Sequence, residues 1–293
     1  MKPFAETKFA KAFISLGLAI ASLFCSIFGL PTYPHGKTVD MDKFELVWSD
    51  EFDTFDAERW EPSSTWMADS TGSTVRNGGY WNPKMCTIED GMLHIATKYY
   101  PDGFEDNGKP GWYSAGIDTH TSYLQNYGYF ECRCILPKGN GLWSAFWIYS
   151  GDEANIGNGG VDGAEIDIFE SAYYSTKYPN SVSSAIHYDG YGEEHRQKLV
   201  CHSRITANNP YEEFNTYGVE WNEDGYTFYI NGVKAGKTDF GGASQMKEWL
   251  LLSVEVGGKN AVPGESWAGQ SIETNTEAPT DFIVDYVRAY QYK

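Results

Sequence analysis

The chain has 293 residues, 40 Asp+Glu against 22 Lys+Arg, a formal net charge of −18 and 16% aromatic side chains. No basic stripe is present, and because phosphate binding is driven by clustered Lys and Arg, nucleic acid is excluded as a partner. A composition of 41% hydrophobic residues with 31 Gly marks a globular chain rather than a disordered acidic tail, and its 10 Trp and 21 Tyr suit either a sugar-binding groove or the core of a β-sandwich.

Lys2, Lys8 and Lys11 precede an uncharged stretch over residues 12–30. Residues 1–30 therefore read as a signal peptide or an uncleaved N-terminal membrane anchor, and either way the folded part is expected to be secreted or extracellular. Residues 31–43 read as a linker and 44–293 as one domain, expected to be a monomer that meets a membrane only through that first segment. From Phe44 onward, short strands alternate with Gly, Pro, Asn and Asp clusters, the pattern of an all-β sandwich or barrel. Residues 93–97 and 226–230 alternate with period two, and the second run ends at Asn231-Gly232, the strongest two-residue hairpin signal. Residues 243–250 predict one short turn or helix, and residues 282–290 a long C-terminal strand.

Cys86, Cys132, Cys134 and Cys201 are too few for a disulfide scaffold. Cys132 and Cys134 share one face of a strand and read as small buried residues. His187, His195 and His202 lack the spacing of zinc ligands.

The segment Glu165, Ile166, Asp167, Ile168, Phe169, Glu170 interleaves three acids with strand formers. In a regular strand Glu165 and Asp167 share a face and Glu170 falls on the other. A bulge near Ile168-Phe169 restores the phase and brings all three acids to one face. Like charges so close raise at least one carboxyl pKa, which a general acid at neutral pH needs.

That segment resembles the E-x-D-x-x-E signature of glycoside hydrolase family 16 in its bulged, laminarinase-like form. Residues 47–52, 127–137, 141–147, 216–221 and 284–288 resemble other strands of that family in the same order, so the likeness covers nearly the whole chain after residue 43. The resemblance implies a concanavalin A-like jelly-roll β-sandwich of two curved antiparallel sheets with a concave substrate cleft. It implies Glu165 as nucleophile, Glu170 as general acid/base, and Asp167 as the hydrogen-bonding partner of the nucleophile.

By strand parity and the same resemblance, Glu131 and Arg133 are candidate sugar contacts, with a cross-strand ion pair as the alternative. Trp143 and Trp147 are candidates for stacking or for core packing, and Trp221 likewise. His187 is expected on the strand beside the acids, near the leaving group or in a structural role. Asn77, in Asn-Gly-Gly, resembles a lichenase sugar contact or marks a plain turn. The parity of Ser253 and Glu255 puts Glu255 toward the cleft. Glu51, the backbone of Gly91 and Asp285 match a structural calcium site of the family and read equally as solvated strand ends. No catalytic cofactor is expected.

The activity implied is endo-acting, retaining hydrolysis of β-1,3- or mixed β-1,3;1,4-glucan. Two alternatives stand beside it: hydrolysis of a galactan-type polysaccharide on the same fold, and non-catalytic, lectin-like carbohydrate binding.

Overall fold

A computed structural model describes residues 34–63, 79–104, 108–139, 141–151, 155–172, 180–201, 204–205, 209–256 and 280–293, with scattered helical positions within 16–24. Among the described residues no helix is long and apolar enough to cross a membrane. Two large antiparallel sheets build the structure, as the alternating sequence predicts. The front sheet runs Arg196–Leu199, Ser181–Tyr188, Glu165–Ala172, Leu142–Tyr149, Glu248–Val256, Gly116–Asp118, Glu61–Pro62. The back sheet runs Val233–Thr238, Gly225–Ile230, Asn215–Asn222, Gly128–Ile135, Phe282–Tyr292, Met92–Ile95, Cys86–Glu89, and Phe44–Asp50 also pairs with Phe282–Tyr292. Gly79–Trp81, Gly111–Ser114 and Lys98–Tyr100 form a small third sheet. This is the jelly-roll sandwich that the sequence predicts.

Alternation decides what fills the space between the sheets. Phe146, Ile148, Ile166 and Leu252 from the front sheet meet Phe130, Cys132, Val219 and Val287 from the back, all fully buried. Each large apolar side chain buried there contributes roughly 1.5–3 kcal/mol. Cys132 and Cys134 point into this core as small buried residues, and the described cysteines are free thiols. Asn231 and Gly232 adopt positive φ (51° and 71°) and close the hairpin between Gly225–Ile230 and Val233–Thr238. Both central residues must be left-handed in such a turn, which is why Asn-Gly is found there.

Two local expectations change. Residues 243–250 form no helix: the segment ends in the strand Glu248–Val256, whose nine residues are all buried. Tertiary pairing on both edges outweighs weak helical periodicity. Part of the expected linker is also docked, with Thr38 bridging Val233 and the Val39 amide donating to the Gly232 carbonyl at 2.9 Å.

Candidate active site

The acid-bearing strand, Glu165–Ala172, is irregular where the sequence predicts. Against Leu142–Tyr149, Phe169 pairs with Phe146 and Asp167 with Trp147, leaving Ile168 as the extra residue. On the other side Asp167 pairs with Ala185 and Glu170 with Ser183. Ile168 and Phe169 therefore both enter the inter-sheet core, at 2% and 0% exposure, while Glu165, Asp167 and Glu170 share the outer face. The carbonyl that the bulge frees on Ile168 accepts from the Ser184 hydroxyl at 2.8 Å. Just upstream, the Ala164 amide donates to the fully buried Glu248 carboxylate at 3.1 Å, fixing the entry to the strand.

Each acid has its own set of neighbours. The Trp143 indole donates to Glu170 Oε1 at 3.0 Å, so one carboxyl oxygen is committed and the other is left to carry a proton. The Tyr191 hydroxyl donates to Glu165 Oε2. His187, paired in register with Glu165, brings Nε2 to 3.3 Å from Asp167 Oδ2. Burial, then the charge of Asp167, pushes both Glu165 and Glu170 well above the usual carboxylate range. Burial pushes Asp167 up to about 8. The nearby His187 and then the Tyr191 hydrogen bond oppose the rise at Glu165 without reversing it. Three interacting carboxyls titrate as one unit, and this one retains protons into the neutral range.

The floor around the acids comes from two neighbouring strands. Trp143, Ala145, Trp147 and Tyr149 pair in turn with Glu255, Ser253, Leu251 and Trp249, so all eight face the cleft side. Trp147 packs there with Ala145, Trp249 and Leu251, apart from the inter-sheet core, and its indole donates to Ser253 Oγ at 3.2 Å. Glu255 lies in register with Trp143 and adds its charge to those raising Glu170. One strand further, Gly116 pairs with Ser253, and a Cβ there would sit 2.8 Å from the ring of Trp81. Glycine is what lets that indole lie against the sheet.

Several expected contacts lie elsewhere. Glu131 and Arg133 are on Gly128–Ile135 in the back sheet, facing away from the core on the side opposite the acids. Tyr129 and Tyr286 donate to Glu131 at 2.8 and 2.9 Å, and Arg133 pairs with Asp285. Parity correctly puts them opposite the cysteines, but parity does not say which sheet a strand joins. Trp221 is also in the back sheet, fully buried, with its indole donating to the Ser244 carbonyl at 3.0 Å, and is a core residue. Asn77 lies outside the described residues.

The calcium set does not fit. Glu51 is clasped by Arg288 through two hydrogen bonds of 2.9 and 2.7 Å, and Asp285 is held by Arg133. Guanidinium charge thus fills the role a cation would, and Gly91 is explained by its turn, at φ +72°. Elsewhere Glu61, Asp118 and His120 bring donor atoms within 4.8 Å of one another. Their oxygens already accept from Thr121, Ser63 and His120 main-chain or hydroxyl donors.

Tyr191, His195, Trp81 and Trp249 were not singled out as site residues by sequence. A tyrosine and a histidine closing a short hairpin after the His187 strand were the available signal.

Residues 44–292 match the family model described as the glycoside hydrolase family 16 domain of β-porphyranases A–D. The chain belongs to glycoside hydrolase family 16. Among relatives, it is 25% identical over 270 residues to the endo-1,3-1,4-beta-glycanase EglC of Rhizobium meliloti, covering 86% of this chain and 53% of that one. It is 26% identical over 277 residues to the keratan-sulfate endo-1,4-beta-galactosidase of Sphingobacterium multivorum, covering 88% and 57%. The chain thus spans about half the length of these relatives. The laminarinase catalytic domain of Thermotoga maritima superposes with a TM-score of 0.67 at 25% identity, covering 86% of this chain and 99% of that domain. In family terms the bulged strand is the expected seat of the catalytic acids.

Proposed function

We propose that this family 16 domain is an endo-acting, retaining glycoside hydrolase that cleaves β-1,3- or mixed β-1,3;1,4-glucan. The observation that carries the proposal is the bulge at Ile168, which sets Glu165, Asp167 and Glu170 on one face with unlike partners. Glu165, whose carboxylate accepts from the Tyr191 hydroxyl, attacks the anomeric carbon in its ionised form. Glu170, kept protonated by burial and by its acidic neighbours, gives its proton to the departing glycosidic oxygen. Glu170 then accepts a proton from water, which cleaves the glycosyl ester and regenerates Glu165. A binding-only groove would gain nothing from three buried like charges, so the lectin reading is disfavoured. The names of EglC and of the Thermotoga laminarinase support the glucan.

A galactan is the second reading, favoured by the β-porphyranase description of the matching family model and by the galactosidase relative. Residues 1–30 support export of the domain, and we read it as acting outside the cell as a monomer. The test is incubation with laminarin, barley mixed-linkage glucan, agarose and porphyran, followed by product sizing and NMR of the first-released anomer. Internal cleavage of either glucan with the β-anomer released first is expected. Turnover confined to agarose or porphyran would transfer the assignment to the galactan.

A further inference from the structure

The hairpin between Ser181–Tyr188 and Arg196–Leu199 reaches back into the site with two side chains that the mechanism above leaves only partly used. Tyr191 from this turn donates to Glu165. His195, at its far end, sets Nε2 at 2.9 Å from His187 Nδ1, with the ring centroids 5.1 Å apart and the planes within 14°, so the imidazoles lie edge to edge as an N–H···N bond requires. His187 in turn brings Nε2 to 3.3 Å from Asp167 Oδ2, a buried oxygen that makes no aligned hydrogen bond in this structure and so has its acceptor position open to that ring; such contacts commonly align and tighten when a substrate is bound. Asp167 is 3% exposed at the floor, whereas His195 lies on a hairpin whose residues 191–194 are exposed. The three groups form a continuous line from the buried centre of the acid cluster to its wet edge.

An imidazole pair joined by one N–H···N bond has two neutral arrangements. If His195 Nε2 donates to His187 Nδ1, His187 must carry its proton on Nε2 and offers a donor to an ionised Asp167. If His187 Nδ1 donates to His195, its Nε2 is bare and accepts from a protonated Asp167. Proton position on the pair and protonation of Asp167 are therefore locked together.

We propose that His187 and His195 form a proton relay between Asp167 and solvent, which keeps the acid cluster in protonic contact with water while polysaccharide covers the cleft. In the outward stroke Asp167 Oδ2–H passes its proton to His187 Nε2. His187 Nδ1–H passes a proton to His195 Nε2, and His195 Nδ1–H releases one to water. Neither imidazole changes its net charge, and Asp167 gains one negative charge for the proton delivered. The relay rests on the double-displacement reading. When Glu165 becomes a neutral ester, the repulsion that favours a proton on Asp167 disappears, and the proton leaves; when hydrolysis restores the Glu165 carboxylate, it returns. The titratable groups facing this line are Glu165, Asp167 and Glu170 from the catalytic strand, Tyr191 from the hairpin, and Glu194 and Arg196 beside His195. His195 touches none of the reacting atoms and is a positioning and relay residue.

Two variants separate relay from packing. His195→Phe keeps a flat ring and removes both nitrogens, and His195→Ala opens a space for free imidazole. The expected result is that both lower kcat about tenfold, below the roughly 10²–10⁴ of a direct general acid. KM should stay within about twofold, the solvent isotope effect should change, and added imidazole should restore His195→Ala but not His195→Phe. A His195→Phe enzyme with wild-type kcat and isotope effect would overturn the relay. Trapping a glycosyl ester on Glu165 of the wild type with a 2-fluoro glycoside tests the underlying mechanism separately. If the ester forms and His195→Phe is normal, the relay alone fails; if no ester forms, double displacement fails first.

Discussion

On the outer face of the back sheet, Glu131 accepts from Tyr129 and Tyr286, Asp285 is paired with Arg133, and Glu51 is gripped by Arg288. On the outer face of the front sheet, Glu165, Asp167 and Glu170 stand together with neutral donors and one histidine. The residue types are the same and the electrostatics are opposite. Arg288 holds Glu51 below its usual range, while burial and mutual repulsion hold the front acids above theirs. The back-sheet acids are met by arginine or tyrosine donors. The front acids, which we read as the catalytic set, are left to compete for protons, at a cost in stability.

The contrast predicts the largest effect at the front. Glu165→Gln and Glu170→Gln should each reduce polysaccharide turnover by about a thousandfold or more, with circular dichroism unchanged. Near-normal release of reducing ends by either variant would remove the functional half of the comparison. A subtler break is Trp143→Phe, which deletes the indole donor that favours the charged form of Glu170. Glu170 should then hold its proton to higher pH, so the alkaline limb of the rate profile moves up. The step that needs Glu170 as a base should slow about tenfold, in line with roughly 1.5–3 kcal/mol for a hydrogen bond to a charged group. An unmoved alkaline limb would show that Trp143 serves only for stacking.

Stability sharpens the comparison from the other side. Because the folded-state pKa of Glu170 is raised, its protonated form is favoured by folding. That contribution is complete below the ordinary carboxylate range and is lost as pH rises through the folded value. Glu170→Gln should therefore raise the melting temperature by a few degrees at about pH 8 and by almost nothing near pH 3. A gain that persists in acid would contradict the charge origin. The smallest effect is expected at the back: Arg133→Met should leave kcat/KM intact and cost about 0.2–1 kcal/mol of stability, less at high salt. A large loss of activity there would restore Glu131 and Arg133 to the substrate cleft.

Much of the site was legible in the residues themselves. The phase break between Asp167 and Glu170 could be seen because two apolar residues in succession, Ile168 and Phe169, cannot both face a core from a regular strand. The shared face of Cys132 and Cys134 followed from parity alone, as did that of Trp143 and Trp147. What parity could not supply was partnership. Arg133 has the sequence context of a sugar contact, and only its distance partner Asp285, 152 positions away, makes it an ion pair on the far side. Trp221 alternates like a cleft residue and is consumed by the core. Trp143 was expected to stack or pack, and nothing in the sequence signalled that its indole nitrogen also reaches Glu170.

Side-chain alternation is a local property, with a period of two residues, so the sequence by itself determined the strands, the bulge, the Asn231-Gly232 turn and which acids share a face. Strand order is non-local. Which sheet receives each strand, which arginine meets which acid, and how Tyr191 and His195 fold back onto Glu165 and His187 depend on contacts between distant segments. Those were decided only when the two sheets closed on their common core, because burying both inner faces at once fixes the positions of everything on the outer ones.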